Sequence, residues 1–282
     1  MRDHGLLPAD SIARRIDRET FILLGGTAAL LLQIAHPLVA AGVDQHSDFR
    51  RAPHGRLLRT LDTTLSIVFG DSETARRAMA RINRRHVAVR GIAADGSAYD
   101  ARDPALLLWV QCTLVLTSLR LYELVMGRLS DAQRQAYWEE AKLIVAGLGL
   151  LPHLVPASIG DLETYERTML ERTVIPDATS RAVARSVLRP YPKVPDRLWW
   201  PADAITAGLL PGSLRREFGL RYGTRERLAF RAAIVTMRMA VPFAPSVLRF
   251  VPHARAQRER VRPPFRTDRM RSSRATSTRT SR

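Results

Sequence analysis

The sequence predicts an all-α fold in a single multi-helix domain, and three observations predict it. Sustained period-two alternation is scarce, and no Asn-Gly hairpin signal occurs. Apolar residues instead recur at helical spacing through most of the chain. Capping residues stand where that spacing starts and stops: Ser130 with Gln133, Asp71-Ser72 and Asp103-Pro104 at starts, Gly127 and Gly149 at ends.

The first predicted helix covers 11–43. Within it, Phe21 to Val43 carries no formal charge over 23 residues, long enough to span a bilayer. Gln33, His36 and Pro37 interrupt it, so a helix buried by protein is the preferred reading. Pro37 removes a helix hydrogen bond, and His36 or Gln33 is expected to serve that local need. Helices follow over 55–69, 72–91, 104–127, 130–149 and 158–172, then over 176–189, 201–208, 212–218 and 224–239. Arg189–Pro201, with four prolines, reads as a loop crossing packed helices, and Trp199-Trp200 as its anchor. The helical domain is expected to fill 1–251. The Arg-, Ser- and Thr-rich segment 252–282 reads as a disordered tail.

A chain of 282 residues can bury a substantial core. The net charge of +17 is unusual, and arginine supplies nearly all of it, since the only lysines are Lys142 and Lys193. Ten arginines lie between His253 and Arg282, against Glu259 and Asp268. The single cysteine, Cys112, excludes an internal disulfide and a cysteine-built zinc or iron–sulfur site, and it sits in an apolar helix as a small buried residue. The N-terminal residues mix acids and bases without a signal-peptide core, so the expected compartment is the cytoplasm, with peripheral membrane contact left open.

The chemistry-bearing positions cluster in two consecutive helices. On 72–91, Met79, Ile82, His86 and Val89 share one face, while Arg77, Arg81, Arg84 and Arg85 lie mostly off it. A buried imidazole needs a use for both nitrogens. It is either a hydrogen-bonded core histidine or a metal ligand through one nitrogen. On 55–69, Arg56, Arg59 and Thr60 share a face that suits an anionic or oxygen-rich ligand, or is simply solvated. Asp44, His46 and Asp48 precede that helix and either line the same site or cap helices and face water. His54, His153 and His253 have no ligand-like spacing, and no H-E-x-x-H, P-loop, G-x-G-x-x-G or G-x-S-x-G occurs.

These segments resemble a known family. QIAHPLVAAGVDQHSDF (33–49), R-x-x-R-T (56–60), VFG (68–70) and RRHVAVRG (84–91) occur in order. They are followed by LLLWVQCTLV (106–115), YWEEAKLIVAGLGL (137–150), LPHLVPASIGDLETY (151–165) and LLPGSLRREFGLRYG (209–223). The run, spanning about 15–250, resembles the MpaB and rubber-oxygenase (latex-clearing protein) family. The resemblance implies a globin-like helical core holding non-covalent haem b. His86 would be the proximal iron ligand, and Arg56, Arg59 and Thr60 the distal-side cluster. It also implies a haem-dependent oxygenase that uses dioxygen, and an electron donor where the chemistry needs one, on an apolar small molecule. The rubber-cleaving branch has lysine at the position of Arg59, so polyisoprene is not the expected substrate.

Two other readings stay open from the residues. One is a non-enzymatic basic helical protein binding nucleic acid or an anionic membrane. The tail, however, lacks aromatics beyond Phe265 and the chain lacks a helix-turn-helix or zinc-finger signature, so no specific nucleic-acid partner is expected and the tail would touch anionic surfaces loosely. The other is a haem carrier or sensor.

Overall fold

The computed structural model describes residues 3–8, 10–46, 53–191 and 193–261, with side chains from residue 60 onward in the helix that begins at Pro53. The all-α class is observed: fourteen α-helices and one two-stranded hairpin among the described residues. In chain order the helices begin with α1 (Ile12–Asp17), α2 (Gly26–Ile34), α3 (Pro37–His46), α4 (Pro53–Phe69) and α5 (Ser72–Ala88). After strands β1 (Arg90–Ile92) and β2 (Ala98–Asp100) come α6 (Pro104–Met126), α7 (Asp131–Gly147), α8 (Ile159–Arg172) and α9 (Ala178–Leu188). The last are α10 (Trp200–Leu209), α11 (Gly212–Glu217), α12 (Thr224–Ala240), α13 (Ser246–Arg249) and α14 (Pro252–Val261).

Helix α6 is the axis of the core. Asp103 caps its start by accepting from the Ala105 N–H, Pro104 occupies the first turn, and Gly127 stops it at φ 93°. Its apolar side chains are buried nearly all round: Leu108, Trp109, Cys112, Val115, Leu116, Leu119 and Tyr122. Helices α2, α7, α8, α10 and α12 surround it. It is the one straight helix among the described residues long and apolar enough to cross a membrane, and most of its apolar window is buried by protein.

The helix expected over 11–43 is three helices and a 3₁₀ turn (Thr20–Gly25). The chain bends by 108° between Thr20–Ile34 and α3, because Pro37 has no N–H to continue the ladder. His36 is buried and structural, but its ring serves a different need from the expected carbonyl: its Nδ1 accepts from the Leu38 N–H at 3.3 Å, capping α3, while the Gln33 carbonyl takes the backbone N–H of His36 at 3.2 Å. The helix expected over 72–91 stops at Ala88, two residues before β1 begins at Arg90.

The segment expected to be disordered from 252 begins instead as α14, so the ordered chain extends at least to 261. Contacts of the turn before it, and of Arg258 within it, hold it in place. The Val251 N–H donates to the Arg18 carbonyl at 2.9 Å, and Glu19 forms a β-bridge with Phe250. Glu19, 1% exposed, accepts from Arg249 Nε and Nη2 at 2.8 and 3.0 Å. The guanidiniums of Arg18, Arg258 and Arg249 lie 4.8, 4.5 and 5.2 Å from the Phe250 ring centre. Composition suggested disorder, but the buried carboxylate supplies the partner that makes order favourable.

Glu19→Ala would leave Arg249 unpaired beside two other arginines. Urea unfolding should show a loss of about 3 kcal/mol; a change below about 0.5 kcal/mol, the range of neutral surface substitutions, would show that this ion pair does not hold the C-terminal helices.

Candidate functional site

The site region is the α4–α5 hairpin and the elements that fix its open end. Asp71 caps α5 by accepting from the Thr74 N–H at 2.8 Å. Two arginines satisfy the last carbonyls of α4: Arg14 Nε donates to Val68 O at 3.0 Å and Arg260 Nη2 to Phe69 O at 2.6 Å. Arg81 Nη2 donates to Thr63 Oγ1 at 3.0 Å and lies 3.9 Å from Asp62, which sets the antiparallel register of the two helices. At equal rise per residue along both, the Arg56–Thr60 turn of α4 runs level with residues 84–88 of α5.

That register brings the two expected clusters alongside each other. The side chains of Arg56 and Arg59 lie outside the described residues, as does Asp48. Thr60 is exposed on α4, and its carbonyl accepts from Thr64 Oγ1 at 3.1 Å. On α5 the expected stripe is present but tapers. Met79 is buried with Ile67 and Ala78, while Ile82, His86 and Val89 are half-buried; Arg77, Arg84 and Arg85 point to solvent. Arg81 is half-buried instead, because Thr63 holds it. Asn83 Nδ2 donates to the Gly147 carbonyl at 3.1 Å, pinning the middle of α5 to the end of α7.

The exit from α5 is clamped by Tyr99 and Gln45, which sequence reasoning missed, together with His46. Tyr99, buried on β2, donates to Gln45 Oε1 at 2.7 Å, and Gln45 Nε2 donates to the Ile92 carbonyl at 2.9 Å. His46 Nε2 lies 3.1 Å from both the Arg90 carbonyl and Tyr99 Oη; the carbonyl can only accept, so Nε2 carries the proton. A Cβ on Gly91 would stand 2.8 Å from Tyr99 Oη, so the close approach there requires glycine. The Gly at 91 after a helix is the one sequence signal that could have indicated this clamp. His46 thus braces the hairpin; it is a partner of β1 and β2.

His86 differs from His36, His46 and His253, whose rings are hydrogen-bonded. Neither of its ring nitrogens has a hydrogen-bond partner among the described residues, whereas His36 uses Nδ1 on the Leu38 N–H. Burial pushes its pKa below the ordinary 6.5, opposed by the charge of Asp100. The imidazole is therefore neutral near pH 7, the form that donates a lone pair to a metal. Among the described residues no three His, Cys, Asp or Glu side chains converge as a metal cage. A single available imidazole fits a metal that brings a macrocycle of its own, as haem iron does. Cys112 offers no second ligand, since it is fully buried and burial pushes its thiol far up.

A proton-observed titration of the cofactor-free protein tests this environment. The His86 ring should titrate below 6.5, and because folding resists its protonation, this group opposes folding as pH falls below 6.5. A midpoint above 6.5 would mean that Asp100, not burial, governs the ring.

Comparison with known proteins identifies the family. Over 227 residues the chain is 26% identical to an uncharacterised protein of Mycobacterium bovis and, equally, to one of Mycobacterium tuberculosis, covering 76% of this chain and 86% of each relative. Residues 13–239, which include α4, α5 and the clamp, match the family described as ER-bound oxygenase mpaB/B'/rubber oxygenase, catalytic domain. The helical scaffold around α6 and the hairpin bearing His86 are thus those of an oxygenase catalytic domain, and the chain belongs to the mpaB/rubber-oxygenase family.

Proposed function

We propose that this oxygenase domain is haem b-dependent and oxidises an apolar small molecule with dioxygen. The observation that supports it is His86: a half-buried, neutral imidazole with no hydrogen-bond partner among the described residues, level with the R-x-x-R-T turn and inside the family match. Haem b, when bound, supplies the iron that activates dioxygen. His86 is the protein ligand to that iron. The chain is held on both sides of it, by Asn83 on Gly147 before it and by the Tyr99–Gln45–His46 clamp after it.

Arg56 and Arg59 are assigned to anionic groups, either the two propionates or negative charge developing on reduced oxygen. Thr60 is assigned as a hydroxyl donor beside them. Ile82 and Val89 contribute apolar surface on the His86 face, which disfavours water and suits a lipophilic metabolite, an isoprenoid among the candidates. An electron donor is part of this reading wherever the reaction inserts one oxygen atom and reduces the other.

The test is an absorption spectrum of the purified full chain, before and after adding haem. A Soret band should be present in the parent, persist in His153→Ala and His253→Ala, and be lost or shifted in His86→Ala. A parent that stays featureless after haem is added overturns the reading. A parent that binds haem through His86 but consumes no dioxygen with a reductant and lipophilic substrates would be a carrier or sensor.

A further inference from the structure

We propose that the outer face of α12 and the turns that follow it form a docking surface for an anionic phospholipid bilayer. Six large hydrophobic side chains between 228 and 248 are exposed: Leu228, Val235, Met239, Phe243, Val247 and Leu248. Phe243 is 87% exposed, Leu248 70% and Met239 69%. Water-facing side chains of this size, gathered in one chain segment, mark a contact surface.

Spacing puts three of them on one face of α12. Leu228, Ala232, Val235 and Met239 follow at intervals of 4, 3 and 4, all exposed, while Ile234 on the opposite side is buried against the core. The chain then turns through Val241–Phe243 into α13, which places Phe243, Val247 and Leu248 beyond the end of that stripe. Leu23 and Leu24, exposed on the 3₁₀ turn that packs against α13, widen the apolar area.

Charge identifies the occupant. Between Thr224 and Ala240 stand Arg225, Arg227, Arg231 and Arg238 against Glu226 alone. Arg231 is one helical turn from both Leu228 and Val235, and Arg225 lies on the other flank, stacked over Trp200 at 4.2 Å. Four arginines in one 17-residue helix forbid a membrane span. An apolar stripe edged by guanidiniums is instead the form that lies in the plane of a bilayer, side chains in the acyl boundary and cations among the phosphates. A second copy of the chain fits poorly, because a two-fold contact would set these arginines against their own images. Nucleic acid would engage the arginines but leave Met239, Val247 and Leu248 without a partner.

The experiment uses the full chain and needs no cofactor. Phe243→Cys takes a polarity-sensitive dye at that position, since Cys112 is buried and its thiol is held protonated. Phosphatidylcholine vesicles with phosphatidylserine should blue-shift and brighten the dye; vesicles of phosphatidylcholine alone should do so much less. A dye on Ile175→Cys, exposed outside the patch, should stay unchanged. Met239→Ser/Val247→Ser/Leu248→Ser, with unchanged circular dichroism, should lower partitioning about tenfold or more. The proposal is overturned by no vesicle binding, by binding that leaves the Phe243 position wet, or by equal partitioning of the triple variant. It is also overturned if the triple variant dissolves a dimer while vesicle binding is kept. A triple variant that loses its circular dichroism is replaced by Phe243→Ser alone, read in the same partition assay with the same two outcomes.

Discussion

The missing N–H of Pro37 is the constraint on which the site depends. It ends α2, and the chain turns by 108° into α3 instead of running on. The turn is stable because the His36 ring takes the Leu38 N–H that the break leaves unpaired. Its consequence lies ten residues away. Helix α3 now delivers Gln45 and His46 to the β1–β2 hairpin, where they hold Tyr99 and the carbonyls of Arg90 and Ile92. That hairpin starts two residues after α5 ends, so the direction in which His86 leaves its helix is set by a proline fifty residues earlier.

Much of the positive charge has a structural use. Arg14 and Arg260 donate to the terminal carbonyls of α4, Arg238 to the Leu124 carbonyl near the end of α6, and Arg215 to the Leu210 carbonyl after α10. Each places a cation at a helix C-terminus, where orphan acceptors and the helix dipole favour it. Arg249 and Arg120 are spent on the buried carboxylates Glu19 and Glu166. An excess of arginine therefore need not signal nucleic acid.

The parts of the fold legible in the sequence are those with local causes. Ser130–Gln133 forms the capping box, Asp103-Pro104 opens α6, and Gly127 closes it. The face shared by Met79, Ile82 and His86 follows from helical spacing, and so does the common turn of Arg56, Arg59 and Thr60. The illegible parts have causes distant in sequence. Gln45 and Tyr99 are 54 residues apart, and neither has a local pattern that names the other. Helix α14 is arginine-rich and reads as disordered, yet Glu19, 230 residues from Arg249, organises the turn before it. That His86 has no hydrogen-bond partner among the described residues is likewise a matter of packing, since the same imidazole on the same stripe could have met a carbonyl.

The most direct test of the central claim is chemical rescue at one position. In His86→Gly the haem-binding spectrum should be lost, and free imidazole should restore it together with the iron–imidazole stretch of a histidine-ligated haem. Rescue of both would show that the ring of His86 is itself the ligand. A His86→Gly protein that keeps the parent spectrum without imidazole would place the ligand elsewhere and contradict the account.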